Sequence, residues 1–482
     1  MRKITLKDFT QRSQRTQRKE GEKKTFIFPP RSPRLCVILN RALRAKVPLL
    51  ILLTCMHIIT VVVSAEEYDL TTYLAMVEQN NPDLLMALKD FELAKTGVTQ
   101  ARAVLLPSIG VQGGYNRNLT ERTQSMAVAS QGPGPLVFQD VRTNFDNELT
   151  LGIGVNQILF SSAAFSNYSR AKISRAIREQ SLDGVRLAVL CAAKKLYARA
   201  QLALLVVEIR ESSERLSLEQ YQRVQRLHQV GAAIELDLLS AEVNWRTKAD
   251  ATAEAKKNAE LVLIAFRDLA GIPHSQVIAL TQVHTDLPEV SDSPDMGNVL
   301  ASRADYLVLL LSRELTDIER NAAGKLFLPE VSANFSYAMG GMGNGSSIAG
   351  DNNFNSATFG LTVNIPVFTG GVRLARMKAA KLEQEKVAIA LSQKETAIES
   401  ELFELQLRLA EAWQRSESSL LTVETARRAA ALAQRAYANG QATYLAVIDA
   451  QDKLDQVWLN FANISFEYLS AYYDWELAAG LK

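Results

Sequence analysis

Beyond residue 65 the sequence has one cysteine, Cys191, so no internal disulfide can staple the fold. It lies in LAVLCAAKKLY, where a small buried helix residue is expected. Histidine is equally scarce there, and His228, His274 and His284 have no metal-ligand spacing. No glycine-rich loop has the form of a phosphate cradle, since GGMGNGSSIAG lacks the Lys-Ser/Thr ending and a following helix. The Ser and Asp residues suggest no catalytic triad. An enzyme is therefore not expected, nor a metal, a cofactor or a nucleic-acid partner.

Glycine and proline are nearly missing from two long stretches, Phe165 to about Leu269 and Val372 to about Ala479, where Gly184, Gly231 and Gly440 stand out. Both stretches are rich in Ala, Leu, Glu, Gln, Arg and Lys, the composition of long helices. Leu402, Leu405, Leu409, Trp413, Ser416, Leu420 and Val423 step by three and four, as a heptad-like seam does. Roughly 70 residues between strand and tip glycine would make about 100 Å of helix, wider than any compact domain.

Charge is unevenly spread. Residues 1–65 carry 14 of the 54 Lys and Arg but only 3 of the 52 Asp and Glu, which leaves the remainder near −9. That front contains the apolar run VPLLILLTCMHIITVVV followed by Val63-Ser64-Ala65, the form of an export signal, and cleavage is expected after Ala65. An uncleaved anchor is the alternative, for which 17 residues containing Pro48 and His57 is short.

The sequence is written twice. LLPSIGVQGGY (105–115) matches FLPEVSANFSY (327–337), and LTLGIGVNQILF (149–160) matches ATFGLTVNIPVF (357–368). HQVGAAIELDLLSAE (228–242) matches YANGQATYLAVIDAQ (437–451), with Gly231 on Gly440. These matches place the first repeat at 66–285 and the second at 286–482, each with a helix, two strands and a long helical hairpin whose tip is near 231 or 440. The Gly, Ser, Asn and Pro-rich stretches 120–140 and 340–355 are expected to be loops.

The four segments beside those loops alternate with period two. Leu149, Leu151, Ile153 and Val155 oppose Thr150, Gly152, Gly154 and Asn156, and Phe359, Leu361, Val363 and Ile365 oppose Thr358, Gly360, Thr362 and Asn364. One apolar and one small polar face suit a barrel between lipid and water, with Leu151, Ile153, Leu361 and Val363 towards lipid. A half-buried soluble sheet alternates in the same way. The leader and the glycine-rich polar faces favour the membrane. Four strands cannot close a pore, and an open edge is not tolerated in lipid, so association with further copies is required.

The Pro-led and Gly-x-Val-Asn strand segments, the motif YxxGxxTxLxVxDAQ at 437–451 and the duplicated order resemble the TolC family of outer-membrane efflux proteins, over about Leu70 to Gly480. The resemblance implies a mixed α/β membrane protein. Its twelve-stranded β-barrel would be trimeric, four strands per chain, and continued by a periplasmic α-helical barrel. It implies a passive exit duct in the outer membrane for efflux or type I secretion. The implied partners are a periplasmic adaptor protein and an inner-membrane pump or ABC exporter. It implies a periplasmic gate at Asp237, Tyr437, Gln441 and Asp449, with a Tyr437–Asp237 bond and an aspartate ring at Asp449. Adaptor contacts would fall at Gly231, Ala232, Gly440 and Gln441. Two family positions differ: a second aspartate is Ala446 and an arginine is Ala442. A periplasmic coiled-coil adaptor or scaffold without a pore is the alternative, although it leaves the four strands without a role.

Overall fold

The computed structural model describes residues 66–128, 137–276, 278–280, 287–288, 294–346 and 352–481. The expected leader with its cleavage site lies outside these residues. In chain order the elements are β1 (Glu66–Tyr68), α1 (Leu70–Asn80), α2 (Pro82–Ala103), β2 (Ser108–Arg117), β3 (Thr123–Val128), β4 (Val137–Arg142), β5 (Asn147–Phe160), α3 (Ser162–Gln229) and α4 (Glu235–Ala270). They continue with β6 (Ile278–Leu280), α5 (Met296–Ser302), α6 (Ala304–Gly324), β7 (Glu330–Gly343), β8 (Asn352–Asn364), α7 (Val372–Ala438) and α8 (Tyr444–Ala478). The long helices come in matched pairs: α3 and α7 have 68 and 67 residues, α4 and α8 have 36 and 35.

The described residues fall into two compact units, one within Met1–Val77, Ala192–Ser291 and Arg408–Tyr473 and one within Glu78–Cys191, Asp292–Leu407 and Asp474–Lys482. The second unit holds a four-stranded antiparallel sheet in the order β2-β5-β7-β8. Its register aligns the faces across all four strands. Val111 lies opposite Ile153, which lies opposite Tyr337, while Ile109, Val155, Phe335 and Phe359 form the next row. Between these rows run Gly110, Gly154, Ser336 and Thr358. One face is therefore apolar and the other small and polar, and the apolar one is exposed: Leu151 is 51% and Leu361 61% accessible.

The sequence at both strand-flanking loops forms more structure than its glycine and proline content implies. Within 120–140, β3 and β4 pair as an antiparallel hairpin. Within 340–355, β7 runs on to Gly343 and β8 begins at Asn352. Arg142 ties this region together by pairing with Glu121 at 3.0 Å and with Asp146. Asp146 also accepts a 2.7 Å hydrogen bond from the Gly345 amide, whose positive φ of 75° is a conformation natural to glycine.

Elsewhere local chemistry sets the boundaries. Asn81 caps α2 by accepting from the amides of Asp83 and Leu84, with Pro82 in the first turn where no amide is needed. The left-handed Gly271 ends α4. In the first unit Tyr73 stacks on Phe266 with ring centroids 3.8 Å apart, and the Tyr197 hydroxyl donates to the Tyr68 carbonyl at 3.0 Å.

The buried seam of α7 differs in two places from its expected course. It contains Ile398, Leu402, Leu405, Leu409, Ala412, Ser416, Ser419 and Val423, while Leu420 is exposed and Trp413 half-buried. The steps alternate strictly between four and three, the 3.5-residue repeat of a helix packed along a neighbour. Small Ala412 and Ser419 occupy the places that larger Trp413 and Leu420 were expected to fill.

Candidate functional site

Both helical hairpins turn through the same backbone device. At the first tip Gly231 donates to the His228 carbonyl at 2.9 Å and Ala232 to the Leu227 carbonyl at 2.8 Å. At the second, Gly440 donates to Tyr437 at 3.0 Å and Gln441 to Ala436 at 2.8 Å. Gly231 and Gly440 have φ of 75° and 71°, the left-handed conformation that lets a helix end and satisfy its last carbonyls. Thr443 then starts α8 by accepting from the Ala446 amide at 3.4 Å. Gly231, Ala232, Gly440 and Gln441 are all exposed.

Behind the glycines the two hairpins share a core. Val224, Ala241 and Tyr444 are buried together, with Tyr221, Ala233, Leu238, Tyr437 and Ile448 packed around them. Tyr437 and Tyr444 lie with ring centroids 5.5 Å apart. Burial, and next the Asp237 carboxylate, raise the Tyr437 phenol above its ordinary pKa, while Arg223 acts the other way. Tyr444 is pushed up to about 12 by burial first, then by Tyr437 and Asp237. Asp237 and Tyr437 are thus brought together in the described tip. No hydrogen bond joins them among the described residues, and the nearby carboxylate acts by disfavouring ionisation of the phenol.

Asp449 lies one turn into α8 on an exposed surface. It accepts a 2.7 Å bond from Lys453, four residues on, and both side chains are open to solvent. The first tip is also conspicuously apolar outside: Val230, Ile234, Leu236, Leu239 and Val243 are each more than half exposed.

Comparison with known proteins bears on what these tips and the sheet belong to. A model of the outer membrane efflux protein family matches residues 74–271 and 296–480. The chain belongs to the outer membrane efflux protein family. The chain is 22% identical to the alkaline protease secretion protein AprF of Pseudomonas aeruginosa over 84% of this chain and 82% of that one. It is 24% identical to the outer membrane efflux protein BepC of Brucella suis, over 84% and 83%. Its fold matches the Campylobacter jejuni CmeC outer membrane channel with a TM-score of 0.71 at 18% identity, covering 85% of each chain.

As an outer membrane efflux protein the chain is a protein of the outer membrane, with its long helices on the periplasmic side. Lys248 of α4 is buried against Asp455 and Asp452 of α8, each contact 2.7 Å, and Ser213 of α3 donates to Asp455 as well. A Lys and two Asp residues in separate helices give no spacing signal. Only the folded hairpins bring them together.

Proposed function

We propose that three copies of this chain form a passive exit duct, opened at its periplasmic tip by partners. The observation that carries this reading is the four-stranded sheet, with one exposed apolar face aligned across every strand and both outer edges, β2 and β8, unpaired among the described residues. Adjacent strands alternate in direction, so β8 of one copy meets β2 of the next antiparallel and each seam continues the ladder. Two copies would make eight strands, whose interior is filled by side chains; three make twelve and leave a lumen lined by Gly, Ser and Thr. Leu151, Ile153, Leu361 and Val363 would then face lipid.

The tips supply the gate and the docking surface. Asp237, Tyr437, Gln441 and Asp449 form the gate, and Gly231, Ala232, Gly440 and Gln441 meet a periplasmic adaptor, whose apolar surface would cover Val230, Ile234 and Leu236. An inner-membrane pump or ABC exporter provides the energy. The repeats 66–285 and 286–482 each contribute two barrel strands and one hairpin. AprF, by its name, serves alkaline protease secretion and BepC serves efflux, and both export tasks suit a duct of this kind. Native mass spectrometry of the purified protein tests the assembly, with a trimer expected. Planar-bilayer recording tests the pore. A stable monomer with no conductance would overturn the reading.

A further inference from the structure

At one end of the sheet a cleft of about 490 Å³ opens between the first turns of α3 and the end of α6. Its lining includes apolar Phe160, Phe165 and Leu328 together with polar Ser166, Ser169 and Lys325. Its relation to the sheet follows from a register shift. Between Ile158 and Phe160 a bulge brings Phe160 opposite Val331, and Val331 lies opposite Val363. The cleft therefore continues the apolar face of the sheet, not the glycine and serine face.

The lining includes an uncommitted cation. Lys325 is exposed in a short 3-10 turn, and its ammonium has no carboxylate partner among the described residues. The turn itself is fixed, because the Ser162 hydroxyl donates to the Lys325 carbonyl at 3.0 Å. Exposed rings flank the site: Phe165 and Phe327 are each 47% accessible, and the Arg373 guanidinium lies 5.1 Å from the Phe327 ring centroid. An apolar wall continuous with a lipid-facing surface, ending at a free ammonium and two hydroxyls, has the chemistry of an amphiphile site at the level of the headgroups.

We propose that this cleft binds one phospholipid of the periplasm-facing leaflet of the outer membrane. Its phosphate sits at Lys325, with the Ser166 and Ser169 hydroxyls donating to it. One acyl chain lies along Phe160, Val331 and Val363. The inference rests on the reading that the apolar face meets lipid. It adds a specific lipid contact that fixes the depth of the barrel where sheet passes into helix.

The test is native mass spectrometry of the purified protein in detergent, titrated with phosphatidylglycerol, for the wild type, Lys325→Glu and Lys325→Arg. One lysine near a charged membrane surface is worth about fivefold in lipid affinity, so Lys325→Glu should retain about fivefold less or lower still, while Lys325→Arg binds as the wild type does. Inorganic phosphate should not displace the lipid. Equal retention by Lys325→Glu, or complete displacement by inorganic phosphate, would overturn the site. Outer-membrane fractionation of the same proteins separates the two readings. Normal insertion with unchanged lipid retention rejects the cleft alone, whereas a wild type absent from the membrane rejects the lipid face itself.

Discussion

Lys248 and Asp455 meet 2.7 Å apart in the first unit, and their side chains are only 10% and 9% exposed. Burial alone would lower the Lys248 pKa, but the hydrogen bonds it donates to Asp452 and Asp455, and their charges, outweigh it and hold the ammonium above its ordinary value. The pair bolts α4 to α8 behind the tips. Asp455→Ala would leave the buried ammonium with only the half-exposed Asp452, so the loss should stay below that of a fully uncompensated buried charge, about 3–5 kcal/mol. The double change Lys248→Met with Asp455→Leu should recover most of that loss. Thermal unfolding of the purified assembly checks it, and equal melting of the single and double variants would show that the charges are not coupled.

The sheet faces respond differently to charge. An arginine on a lipid-facing strand position costs about 2–4 kcal/mol at the bilayer midplane and much less in a lumen. Leu151→Arg and Leu361→Arg should therefore abolish outer-membrane assembly. Gly154→Arg and Thr358→Arg, on the opposite face, should be tolerated, since the Gly154 position is open space. Heat-modifiability on gels reads the outcome. Equal damage on both faces would point to a sheet buried in protein.

These faces were legible in the sequence because a period of two survives any detail of packing. Leu149 to Val155 and Phe359 to Val363 fall on the expected sides in the observed register, while Ile365 lies just beyond the end of β8. The tip glycines were legible for a similar reason, since a left-handed position between two helical runs has few other occupants. The β3–β4 hairpin was hidden, as each of its strands has six residues and glycine and proline lie between them. The α7 seam departs from the expected one at Trp413 and Leu420, because the strict alternation of four- and three-residue steps puts small Ala412 and Ser419 inside. Lys248 and Asp455 were invisible, for their pairing depends on the fold of two hairpins distant in the chain.

Alkaline titration probes the shared tip core. The Tyr444 phenol, near 10 when unperturbed, is pushed up to about 12 in the folded tip. A raised folded value means that its contribution to stability is complete below about pH 10 and is lost as pH rises through about 12. Tyrosinate absorbance should show a late-titrating group that disappears in Tyr444→Phe. A difference spectrum confined to the range of exposed tyrosines would show that the tip core is open to water.

The gate prediction turns on the Lys453–Asp449 pair, which the four-residue spacing places on one side of α8. Both side chains are well exposed, so the pairing is weak and each charge acts on its surroundings nearly independently. If the Asp449 carboxylates of three copies line the constriction, they favour cations, and the adjacent ammonium offsets part of their field. Asp449→Asn should then reduce cation selectivity in planar bilayers, while Lys453→Gln should increase it. Closure is a separate matter: if Asp237 and Tyr437 belong to the proposed gate, Asp237→Ala combined with Tyr437→Phe should raise single-channel conductance and leave ion preference unchanged. Opposite shifts in selectivity from Asp449→Asn and Lys453→Gln identify the carboxylate as pore-lining. Unchanged selectivity in both would place α8 with this side turned from the lumen, and closure would then rest on the Tyr437 and Tyr444 packing alone.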